Sequence, residues 1–150
     1  MRCYKLLKDN KFYNEDNIKE FDMNKLKNAV GIQVSSLGAM GAGGLIYVIT
    51  KNEEEILFDY FSSTKEGNIV HFENSPVFNI VKEYLPIIDG VSNEEWELLD
   101  NGAGWSFYVR KDYLEKFHKK YKEIGETNEH FEIYIHHFGP DVLLKAIKEQ

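Results

Sequence analysis

A single cysteine, Cys3, in a chain of 150 residues leaves no partner for an internal disulfide, and no Cys/His spacing fits structural zinc. A reducing compartment suits such a chain, and a cytoplasmic location is expected. The opening MRCYKLLKDN lacks the apolar core of a secretion signal. Basic residues are the minority, 18 against 25 acidic ones, which sets a formal net charge of −7. That field opposes docking on phosphate backbones, so no nucleic acid is expected as partner; a basic protein is the complementary choice. No nucleophile-elbow serine is present, and no His, Cys and acid pattern selects a catalytic group. No cofactor, no metal and no catalytic residue is assigned.

Long apolar runs are also scarce. The exception is Ala29–Thr50, 22 residues without a charge and long enough to cross a bilayer. It holds five glycines with Gln33, Ser35 and Ser36, and its apolar residues fall in two blocks. Two strands joined by a glycine-rich connection account for it without a membrane.

The connection, Gly38–Gly44 (GAMGAGG), invites comparison with a phosphate loop, but it lacks Gly-Lys-Ser/Thr and a strand follows it, where a helix should. Part of it recurs: Gly41–Val48 reads GAGGLIYV and Gly102–Val109 reads GAGWSFYV, five of eight positions agreeing. A true repeat keeps its element order. Here Ile49-Thr50-Lys51 leads into a hairpin and Arg110-Lys111-Asp112 into a helix, which argues against duplication.

The remaining pattern predicts α+β: one domain over 1–150, a mainly antiparallel sheet of five or six strands, and three or four helices mostly in the C-terminal half. Strands are expected at Gly31–Leu37, Leu45–Thr50, Ile56–Phe61, Ile69–Phe72, Trp105–Arg110 and Phe131–Phe138, and the short segment Cys3–Leu7 is compatible with one. Phe21, Leu26 and Val30 are expected to anchor a short helix. Ser75-Pro76 opens a helix with Val77, Ile80, Val81, Tyr84 and Leu85 inward, and Pro86 ends it. Ser92 and Glu95 have capping-box spacing, with Val91 and Trp96 as a hydrophobic staple, so a second helix is predicted there. A third runs from Asp112 to Ile124, closed by Gly125, with Tyr113, Leu114, Phe117 and Tyr121 inward and with Asp112–Lys116 and Glu115–Lys119 paired on its surface. Gly139-Pro140-Asp141 opens the last, with Val142, Leu143, Ala146 and Ile147 inward. The lysines 116, 119, 120 and 122 read as a solvated helix face.

Function rests on one compositional feature. Between residues 83 and 100 the chain carries Glu83, Asp89, Glu94, Glu95, Glu97 and Asp100 and no basic residue, with Trp96 inside the segment and Trp105 just beyond it. Aromatics rimmed by charge are the anchor chemistry of protein interfaces. These eight residues are the expected partner-binding set of a small acidic module, of which an immunity-like inhibitor occluding a basic protein is the concrete example. The first alternative is a ligand-binding protein or enzyme with a pocket at the glycine-rich loop, using Gly41, Gly43 and Gly44 with His71 or His136. The second is a structural subunit joined through its aromatic strands, for which a homodimer is possible.

Overall fold

The computed structural model describes residues 12–37, 42–59, 75–89, 93–102, 105–127 and 135–149. They form an α+β unit around a sheet of six strands in the order β1-β4-β3-β2-β6-β5. The strands are β1 (Phe12–Tyr13), β2 (Ala29–Leu37), β3 (Ala42–Thr50), β4 (Glu55–Asp59), β5 (Trp96–Gly102) and β6 (Trp105–Arg110). Every pairing is antiparallel except that of the two-residue β1 along β4.

The uncharged span Ala29–Thr50 is thus the central hairpin, with Ile32 opposite Val48 and Val34 opposite Ile46. It can do without charge because both faces of the sheet are covered. Among the described residues no helix is long and apolar enough to cross a membrane. The β3–β4 turn closes with Thr50 and Glu54: the Thr50 amide donates to the Glu54 carbonyl at 3.0 Å, and the Glu54 amide donates to Thr50 Oγ1 at 3.1 Å. Its last residue, Glu53, adopts the left-handed conformation (φ 66°) that such three-residue loops require.

One face carries the first core. Short 3₁₀ helices at Ile18–Glu20 and Met23–Asn28, helix α1 (Pro76–Tyr84) and a 3₁₀ turn at Pro86–Asp89 bring Phe21, Leu26, Val77, Val81, Leu85 and Ile88 onto Ile32, Ile46, Val48, Phe58 and Tyr108. Helix α1 starts as its sequence dictates: Ser75 Oγ accepts the Phe78 amide at 3.3 Å, with Pro76 at the first helical position. Such a cap contributes about 1 kcal/mol. The other face is covered by α2 (Lys111–Thr127) and α3 (Ile135–Lys148), which pack Phe117, Val142, Leu143 and Ile147 on Val30, Tyr47, Ile49, Leu57, Phe107 and Val109. Lys120 of α2 bonds Glu123 on its own helix and Glu149, the residue after α3. These hydrogen bonds raise the Lys120 pKa, and that from Lys120 lowers the Glu123 pKa.

The sheet settles the glycine-alanine-glycine echo. The described residues of the two copies that pair with β2 do so one copy on each side, but out of step by one residue. Ile32 faces Val48 on one side and Tyr108 on the other; Gln33 faces Tyr47 and Phe107. A slip of one residue exchanges the two faces of a strand. Tyr47 therefore lies in the α2–α3 core and Tyr108 in the α1 core, and the matched valines are exchanged likewise. The likeness is not a structural repeat.

Four expectations are corrected. No helix follows Ser92–Glu95. Asn93 Oδ1 accepts the amides of Glu95 and Trp96, both at 2.8 Å, in a local turn, and Trp96 starts strand β5 paired with β6. The turn has the chemistry of a helix start, but Trp96 and Leu98 both pack on the α1 core at strand spacing, and the ladder with β6 wins. Helix α2 passes through Gly125 to Thr127. Ile135–Phe138 belongs to α3 and not to a strand, because a short apolar run fits either period and this one continues the helix that buries Val142 and Leu143. Tyr84, placed inward by helical spacing, stands 48 % exposed, while Phe78 is buried on α1. The segment Cys3–Leu7 and the expected strand Ile69–Phe72 lie outside the described residues, as do residues 60–61 and 131–134 of two other expected strands.

Candidate functional site

The acidic segment winds from the end of α1 to β5 without forming one patch. Glu83 sits in the last turn of α1, exposed; Glu94 and Glu95 occupy the bend before β5, also exposed. Among the described residues Glu83 and Glu94 have no ion pair. Glu95 lies 3.7 Å from Arg110, and Glu97, half-buried on β5, lies 3.9 Å from Lys111. Both contacts are long and partly exposed, and pairs of that kind add little stability. Asp89 ends the 3₁₀ turn and Asp100 stands in β5 opposite Phe107; their side chains lie outside the described set, as does that of Trp105, which opens β6.

Trp96 is not a surface anchor. Its side chain is 5 % exposed within the α1 core, and the Arg110 guanidinium lies over its ring at 5.5 Å. It forms part of a groove instead. Leu26 and Lys27 from the second 3₁₀ helix, Tyr84 at the end of α1, Leu85–Ile87 after it, Asn93–Glu95 and Arg110 join Trp96 in lining an open depression of about 450 Å³. Tyr84 is the exposed large apolar side chain among the described residues, and it lies on this groove. Pro86 places it there: α1 stops at Tyr84, Leu85 turns in to fill the core, and the tyrosine overhangs. Sequence spacing alone could not separate that last turn from the ones before it.

Charge divides unevenly between the two helical layers. Over residues 12–28 and 75–95, which make the layer with the groove, eight carboxylate residues stand against four lysines. Over α2 and α3, residues 111–127 and 135–148, five stand against seven. Of the two helical layers, the one that holds the groove is therefore the more acidic. Within the groove itself the balance is even, Glu94 and Glu95 against Lys27 and Arg110, and Arg110 is already engaged by Glu95 and, at 4.0 Å, by Asp112.

The glycine-rich loop offers less. Gly43 and Gly44 are part of β3; Gly44 pairs with Ser36, and Gly43 falls at the register shift between that pair and Leu37 opposite Ala42. Gly41 and His71 lie outside the described residues. His136 stands in the first turn of α3, where a strand was expected, and its side chain is outside the described set. The described groove is lined by no histidine. Among the described residues no group of His, Cys, Asp and Glu could hold a metal ion.

The chain matches no protein-family model, and comparison with the curated proteins and with the solved structures finds no significant match.

Proposed function

We propose that this chain is a small acidic protein-binding module that occludes a basic partner protein, acting as an immunity-like inhibitor does. The observation that carries it is the uneven charge: the layer of 3₁₀ helices and α1 holds a twofold excess of carboxylate residues and also the groove with Tyr84 at its edge. A field of one sign speeds encounter with a partner of the other and suppresses wrong partners, while an aromatic at a groove supplies affinity. Glu83 and Glu94 are the carboxylates best placed for this, being exposed and unpaired among the described residues. Glu95 and Glu97 are drawn partly toward Arg110 and Lys111.

Glu83→Lys with Glu94→Lys tests the proposal. The native chain is expected to copurify a basic protein in stoichiometric amount from the cells that make it. With the purified pair, the double reversal raises Kd by about tenfold or more and flattens its dependence on salt. Equal affinity of native and reversed chains for the purified partner would refute the acidic docking face.

A further inference from the structure

We infer that the groove is a socket for one arginine side chain of the basic partner, held by the Tyr84 ring and the Glu94 carboxylate; the inference rests on the docking face proposed above. The chain already contains one such arrangement. The Arg110 guanidinium covers Trp96 at 5.5 Å and reaches Glu95 at 3.7 Å, so an aromatic face and a carboxylate hold a guanidinium between them on the groove wall. Tyr84 and Glu94 line the same groove with the same two chemistries, and among the described residues neither has a cation of this chain. Leu26, Leu85 and Pro86 supply apolar wall for the methylene stem of an entering side chain, which keeps its charged end at the rim. The depression, open and about 450 Å³ in volume, has room for a long side chain.

Arginine suits this better than lysine. Its planar guanidinium stacks on a ring and bonds a carboxylate in the same pose, whereas an ammonium prefers its hydration shell. Lys27 on the same wall repels an entering cation, a cost that the ring and the carboxylate have to offset.

The probe is an N-acetylated, C-amidated hexa-arginine peptide, titrated into the intact chain at physiological salt and followed by amide and indole NMR shifts. Saturable shifts are expected at Tyr84, Glu94, Glu95 and the Trp96 indole. Tyr84→Ala and Glu94→Gln should each weaken binding by about threefold to fivefold, while Tyr84→Phe retains it. The hexa-lysine counterpart should bind about threefold more weakly. Absence of binding, shifts centred elsewhere, or equal affinity for the two peptides overturns the socket. One pattern separates the two proposals. If Glu15→Lys with Glu20→Lys abolishes binding while Tyr84→Ala and Glu94→Gln do not alter it, the acidic layer stands as a docking face and the socket falls.

Discussion

Replacement of Trp96 by alanine is expected to lower stability by about 3–4 kcal/mol, the usual cost of emptying a buried tryptophan site. In a chain of this length that corresponds to a fall in Tm of roughly 10 °C. The indole is 5 % exposed, packs on the α1 core and is covered by Arg110 on one face. Its removal opens a cavity where β5 begins and frees Arg110, which is otherwise held by carboxylates at 3.7 and 4.0 Å. Trp96→Phe keeps a ring in the site and should cost about 1 kcal/mol. Urea denaturation measures both. A cost below about 1 kcal/mol for the alanine variant would show an indole outside the core, as a docking anchor would be.

Gly31→Ala is expected to cost about 2 kcal/mol, large for the addition of one methyl group. A Cβ on Gly31 would stand 2.2 Å from Leu143 Cδ2. Leu143 is fully buried between α3 and the sheet, so its side chain has no space into which to turn. Alternation along β2 puts Gly31 on the face opposite Ile32, toward α3, and the missing side chain lets the helix approach. The partner identifies the mechanism. In a Leu143→Ala background, which alone costs about 3 kcal/mol, the added methyl enters the vacated space, so the double variant should be no less stable than Leu143→Ala. Additive losses would place the strain in the backbone of β2 and not in this contact. Gly139 approaches Phe107 in a similar way, a Cβ there lying 2.8 Å from the ring.

Local signals in the sequence were legible where one period dominated. Ser75-Pro76 opens α1, the β2–β3 and β3–β4 hairpins follow their apolar blocks, and Val142, Leu143, Ala146 and Ile147 all point inward on α3. Signals failed where local chemistry and long-range pairing disagreed. Asn93, Glu94 and Glu95 resemble a helix start, but the decision lay with β6, more than ten residues away, and Trp96 became the first residue of a strand. Gly125 does not stop α2, which runs on to Thr127, and Ile135–Phe138, a short apolar run that fits either period, belongs to α3.

The site was legible in composition and not in arrangement. The acidic segment was visible as a run of residue types, yet Trp96 lies in the core and two of the carboxylates approach Arg110 and Lys111. Tyr84 and Arg110 were missed as groove residues because one depends on where α1 stops and the other on the pairing of β5 with β6. Neither is a local property.

Amide hydrogen exchange of the chain with and without its purified basic partner tests the central claim most directly. The docking face proposed here predicts slowed exchange over residues 22–28, 82–88 and 93–97, with α2 and α3 unchanged. Protection confined to α2 and α3 would contradict it.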